Sequence, residues 1–156
     1  MNLDLEAARS SQALMKDTIN QQSKSVENLV KMNLDLEAAR SSQALMKDTI
    51  NQQSKSVENL VTKTLGVLQE NGVYACMLFL YSRSNSEKEI AKCIRSRLLE
   101  MTVFVGKKSP DGDNSEEILE FFTNNICNDI DTLFLTKQLW EQTLIYARYG
   151  AKARED

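Results

Sequence analysis

Thirty consecutive residues occur twice in this chain. Met1–Val30 and Met32–Val61 are identical position for position, and the copies first part at Lys31 against Thr62. Repeats in solenoid proteins diverge, because each one supplies a new surface to its neighbours. Identity over the whole stretch instead marks one extra copy of a single segment. Were both copies to lie in one straight helix, an offset of 31 residues at about 100° per residue would turn one apolar stripe roughly 220° from the other. A single core cannot accept both stripes in that arrangement. The expectation is a duplicated N-terminal helical segment over residues 1–31 and a helical bundle domain over residues 32–156. The second copy runs directly into the next helix, so it is the one expected to dock. The first is expected to leave Leu3, Leu5, Leu14, Met15 and Ile19 seeking cover on another molecule, giving a homo-oligomer.

The rest of the chain reads as helix. Its most apolar stretch is Leu65–Leu80, interrupted only by Asn71-Gly72, a pair that tolerates left-handed backbone and so reads as a helix stop. Val73 to Leu80 is then apolar without a break. Such a run suits a buried strand or a buried helix. Ala, Met and Leu within it, and helical flanks on both sides, favour a central apolar helix over about residues 73–82, buried on every face.

The other elements follow from apolar spacing and caps. Asp35–Ile50 places Leu36, Ala39, Ala44, Leu45 and Ile50 at mostly helical spacings, as does its twin in the first copy. The polar run Asn51–Ser56 reads as a turn or a solvated helix bend, with Ser54 or Ser56 capping the helix that carries Val57, Leu60, Val61, Thr64, Leu65, Val67 and Leu68. Ser86 and Glu89 have capping-box spacing. The helix they open runs to about Phe104, with Ile90, Ile94, Leu98 and Met101 within about 80° of one another. Gly106–Asn114 is a loop, and Asn114 or Ser115 caps a helix with Ile118, Leu119, Phe121, Phe122 and Ile126 inward. Asp129 or Asp131 starts the last helix, with Leu133, Leu135, Leu139, Trp140, Leu144 and Ala147 inward. One proline and almost no strand-like alternation complete the case for an all-α fold, a single bundle of about five to six helices.

Several kinds of chemistry are excluded. There is no histidine, which removes Ser-His and Cys-His nucleophile pairs and imidazole metal sites. No glycine-rich phosphate loop is present. Asp111-Gly-Asp113-Asn-Ser115 faintly resembles a calcium loop, but the twelfth position is Phe122 where a bidentate Glu is needed. Cys76, Cys93 and Cys127 have no metal-type spacing and read as reduced thiols of a cytoplasmic protein. No catalytic residue, metal or cofactor is therefore expected, nor a membrane span, since no apolar run approaches the ~18–20 residues needed.

The charge pattern is more informative than the net charge of −3. Arg83–Lys108 holds seven bases against three acids, and Asp111–Asp131 holds seven acids and no base. Lys88, Lys92 and Arg95 fall within about 60° opposite the core stripe. Most such stripes are solvated faces, and the functional reading is phosphate contact. Lys107 and Lys108 in the loop extend the stripe, and Arg148 and Lys152 of the last helix join it if that helix packs nearby. Tyr146 and Tyr149 lie among these bases and are placed either to stack on nucleobases or to fill the core.

The order of these features resembles the small α-helical subunit, the fifth Cmr subunit, of type III-B CRISPR effector complexes. The residues that carry the resemblance begin with the helix Leu34–Ile50 and the helix from Val57 that ends in Glu70-Asn71-Gly72. Phe79-Leu80 on the apolar helix and Ser86-Glu87-Lys88 leading to Ile94-Arg95-Ser96-Arg97-Leu98-Leu99-Glu100 follow. Thr136-Lys137 and Arg148-Tyr149-Gly150-Ala151-Lys152-Ala153 close it, so the match covers Met32–Ala153. The resemblance implies a bundle without catalytic residues that contacts neighbouring protein subunits and lines the path of guide and target RNA. The duplicated segment and the net acidity depart from that family. The alternative reading is a helical oligomeric adaptor with no nucleic-acid role.

Overall fold

Trp140 is the largest fully buried side chain among the described residues. The computed structural model describes the backbone of residues 2–156 and the side chains of residues 7–20 and 33–156. The described residues form helices α1 (Asn2–Asp48), α2 (Ser54–Asn71), α3 (Val73–Tyr81), α4 (Lys88–Glu100), α5 (Ser115–Phe121) and α6 (Ile130–Ala153), with no strand among them. The all-α expectation is therefore met. The chain divides into two compact units, Met1–Leu34 and Asp35–Asp156.

In the first unit, residues 7–20 are helical and exposed, including Leu14, Met15 and Ile19. Leu3 and Leu5 lie outside the described side chains. Residues 20–25, the first copy's counterpart of the polar run Asn51–Ser56, have helical backbone.

In the second unit, Ala38, Ser42, Leu45 and Thr49 form the buried stripe of α1; of the expected apolar face only Leu45 lies on it, with Ala39 and Ala44 half-buried and Leu36 and Ile50 exposed. Gly150 of α6 makes room for it: a Cβ at that position would stand 3.2 Å from Met46 Cγ. The turn between α1 and α2 spans residues 49–53. Neither Ser54 nor Ser56 caps α2. Gln53 occupies the cap position without a side-chain bond, and the Asp156 carboxylate accepts instead from the Ser54 amide (3.1 Å to Oδ2) and the Ser54 hydroxyl (2.7 Å). A carboxylate supplied by the other end of the chain thus does the work of a local cap, satisfying an amide that the first helical turn leaves open.

The helix α2 buries Val57, Leu60, Val61, Thr64, Leu65 and Leu68, leaves Val67 half-buried at the edge of that stripe, and packs most extensively on α6. It stops at Asn71, where Gly72 takes a φ of 94° that only glycine adopts without strain. The same glycine opens α3, which touches α2, α4, α5 and α6. In that sense α3 is central. It is not buried on every face: Val73, Cys76, Met77 and Leu80 point inward, while Tyr74 and Leu78 remain 38% and 48% exposed. Nine residues give α3 too little length for helices to surround it.

The Ser86/Glu89 capping box is absent. Asn85–Glu87 forms a 3₁₀ turn, and Glu87 is drawn away to Lys63 (2.7 Å) and Arg83 (3.4 Å). After α4 the chain tightens into a second 3₁₀ turn, Met101–Val105, ended by left-handed Gly106. Asn114 caps α5 by accepting from the Glu117 amide (3.1 Å). A wide π turn, Phe122–Ile126, then closes with the Cys127 amide on the Phe122 carbonyl (2.7 Å). This places Phe122 edge-on to Trp140, centroids 5.5 Å apart. Asp129 caps α6. The stripe of α6 is Thr132, Thr136, Leu139, Trp140, Thr143, Leu144, Ala147 and Ala151, with Leu133 and Leu135 only half-buried. Leu135 lies off that stripe by helical geometry, and buried threonines replace the expected leucines because their hydroxyls bond back to carbonyls one turn earlier. The Trp140 indole donates to the Leu98 carbonyl (3.0 Å), tying α6 to α4.

Candidate nucleic-acid interface

The expected basic stripe lies on α4. Lys88 and Lys92 are exposed one turn apart. Arg95 is not part of an open face: it is only 7% exposed. Its Nε and Nη2 donate to the two carboxylate oxygens of Asp113 (3.0 and 2.6 Å), and its guanidinium lies 4.0 Å over the Tyr81 ring. The Tyr81 hydroxyl donates to the same carboxylate (3.2 Å). The reason is tertiary: the 106–114 loop folds back along α4 and sets Asp113 on the one member of the stripe that can grip a carboxylate with two parallel bonds. The Arg95 guanidinium holds the Asp113 carboxyl below its ordinary range. Burial, and then the Asp113 charge, push the Tyr81 hydroxyl up to about 12.

The remaining bases disperse. Lys108 is exposed on the wall of an open cleft of about 430 Å³, opposite Ser96 and Leu99 of α4 and beside Asp111. Lys107 is half-buried, and its charge acts on Asp129 at the start of α6. Arg148 is half-buried toward the other end of α6, 5.5 Å from the Tyr149 ring, with its Nε buried and without a hydrogen bond among the described residues. Lys152 is exposed, 4.0 Å from Glu58 of α2. The 24 residues of α6 extend about 36 Å, so Lys107, whose charge acts at its start, and Lys152, in its last turn, lie toward opposite ends of that helix. The seven expected residues do not form one continuous face. Lys88, Lys92 and Lys108 share the α4 side, whereas Arg148 and Lys152 belong with the start of α2.

Tyr149 is exposed, while Tyr146 is half-buried and donates to Asp35 of α1. Burial pushes Cys76 up to about 12 and also raises Cys93 and Cys127, the opposite of what a nucleophile needs. Asp113 is committed to Arg95, which leaves the loop before α5 a poor cation ligand. Among the described residues no cluster of three or more metal-ligating side chains occurs, and no helix is long and apolar enough to cross a membrane.

Two polar constellations were not expected from sequence. Arg97 donates to both oxygens of Asp48 (2.6 and 2.9 Å), locking the end of α1 to α4. Arg154 donates to the carbonyls of Thr49 (3.0 Å) and Gln52, clamping the α1–α2 turn. No local pattern marks either pair, since the partners lie 49 and about a hundred residues apart. A second surface is apolar. Val73, Tyr74, Cys127, Leu133, Phe134 and Lys137 line an open cleft of about 370 Å³ between α3 and α6, with Phe134 largely exposed.

Comparison with family models, with curated proteins and with solved structures finds no match to this chain.

Proposed function

We propose that the protein is a non-catalytic structural subunit of an RNA-guided type III-B CRISPR interference complex, working in the cytoplasm between other protein subunits and the guide and target RNA. The observation that carries this reading is the division of labour among its charges. Arg95, Arg97 and Arg154 tie segments of the bundle together, while Lys88, Lys92 and Lys108 stay exposed along α4 and the loop beside it. Lysines of this kind suit phosphate contact without base readout. The exposed apolar cleft of Tyr74 and Phe134, and the exposed Val103 and Phe104 after α4, suit contact with neighbouring subunits. The order of sequence features from Met32 to Ala153 supports the family assignment.

The test is co-purification of the assembled complex carrying Lys88→Glu with Lys92→Glu. RNA retention is expected to fall at low salt, and what remains to depend less steeply on salt than in the wild type, because each lost phosphate contact removes a released counterion. The melting midpoint of the variant is expected to stay unchanged. Full RNA retention by the double variant would sink the proposed path. A second reading, a helical adaptor without RNA, is favoured by the dispersal of Arg148, Lys107 and Lys152 away from α4. Association with protein partners that survives nuclease treatment, with no RNA in the purified assembly, would select it.

A further inference from the structure

Leu45 is 1% exposed and Leu14, its twin in the first copy, is 67% exposed. The same holds along the stripe. Ala38, Ser42 and Thr49 are buried, and Ala7, Ser11 and Thr18 are exposed. The side chains are identical, so the surface that fits one set fits the other. We infer that the surface of the Asp35–Asp156 unit which receives Ala38, Ser42, Leu45 and Thr49 is a binding site with two eligible occupants, the second copy and residues 7–18 of the first.

The first copy is already in the shape that the site requires. Residues 7–20 are helical, and the Thr18 hydroxyl donates to the Leu14 carbonyl (3.0 Å) as the Thr49 hydroxyl does to the Leu45 carbonyl (2.8 Å). Docking therefore requires no refolding of the incoming segment. What ranks the two occupants is closure. The second copy joins α2 through residues 50–53, and the first would join it only with residues 19–53 looped out. Replacing a loop of ~4 residues with one of ~35 costs roughly 25-fold in population. That handicap is enough to make the second copy the resident. It is small beside the loss from truncating a fully buried leucine, which is on the order of a hundredfold. A lesion in the resident copy thus hands the site to the spare.

The experiment uses the full chain with Leu14→Glu, Leu45→Glu, or both. Trp140 is the single tryptophan and is fully buried in the second unit, so its fluorescence follows the unfolding of that unit alone. Leu14→Glu should leave the melting midpoint unmoved. Leu45→Glu should lower it by roughly 5–10 °C, the size of the closure handicap. The double variant should lose the cooperative transition. Hydrogen exchange on the Leu45→Glu chain should show protection leaving residues 38–49 and appearing at residues 7–18. If Leu45→Glu alone abolishes folding, or matches the double variant, no spare occupant exists and the inference is overturned. The milder pair Leu14→Ala and Leu45→Ala is read the same way: equal damage from Leu45→Ala with and without Leu14→Ala overturns it.

Discussion

The two copies of one sequence behave differently in the same molecule. In the second copy, Thr49-Ile50-Asn51-Gln52-Gln53 leaves the helix and turns; in the first, the same residues at 18–22 continue as helix. Leu45 is enclosed and Leu14 is exposed. Since the local sequence is held constant, the difference measures what the surroundings contribute. Helical propensity is adequate throughout this segment, which is why the backbone is helical wherever nothing intervenes. At residues 49–53 two outside groups intervene. Arg154 takes the carbonyls of Thr49 and Gln52, and Asp156 takes the amide and hydroxyl of Ser54. A polar run that tolerates both helix and turn is decided by these bonds.

The comparison can be broken most severely by removing the alternative occupant. In a chain beginning at Met32, Leu45→Ala is expected to cost about 2–5 kcal/mol, while Leu14→Ala in the full chain should stay within about 0.5 kcal/mol. Denaturant midpoints of the two variants measure the gap, and equal effects would mean that the exposure difference does not hold in solution.

A milder version of the same contrast exists on α4. Sequence periodicity puts Lys92 and Arg95 on one stripe, but only Arg95 is covered. Arg95→Ala should cost about 1–3 kcal/mol through the lost Asp113 and Tyr81 contacts, and Lys92→Ala almost nothing. Chemical denaturation of both variants tests this, and a neutral Arg95→Ala would show that the loop does not hold Asp113 in place.

Releasing the clamp sharpens the comparison between the turns. Arg154→Ala should cost about 1–2 kcal/mol and weaken hydrogen-exchange protection of the α1–α2 junction. Unchanged exchange at residues 49–54 would show that the turn is set locally after all.

The smallest expected effect is on acid stability. The Arg97 hydrogen bonds hold the Asp48 carboxyl below its ordinary value of 3.8. A depressed carboxylate stabilises the folded state above its unfolded pKa, and this is lost as pH falls through the lower folded value. Asp48 is mostly solvated, so the contribution is under about 1 kcal/mol. Between pH 5 and pH 2 the wild type should lose stability more steeply than Asp48→Asn. Parallel curves would remove the Asp48–Arg97 pair from the account of docking.

Much of the bundle was legible along the chain because its signals are local. Asn71-Gly72 ends α2 by backbone geometry. Asn114 and Asp129 cap α5 and α6 with their own side chains, and Ile90, Ile94 and Leu98 recur at helical spacing. The candidate interface was less legible. Lys88 and Lys92 lie where periodicity puts them, but the burial of Arg95 depends on a loop eighteen residues further on, and the fate of Lys107 and Lys152 on which helix ends meet.

By itself the sequence determined that this chain is helical, where most helices stop, and that one segment is present twice. Only the tertiary structure decided which copy is enclosed, which residue of the α4 stripe is withdrawn from solvent, and which of two identical polar runs becomes a turn. Each of these depends on a partner distant in the chain, such as Gly150 making room beside Met46, Asp113 reaching Arg95, or Arg154 gripping Thr49. Propensity and periodicity act within a few residues. Burial and the choice between near-degenerate backbone states are set by contacts whose closure the local sequence does not encode.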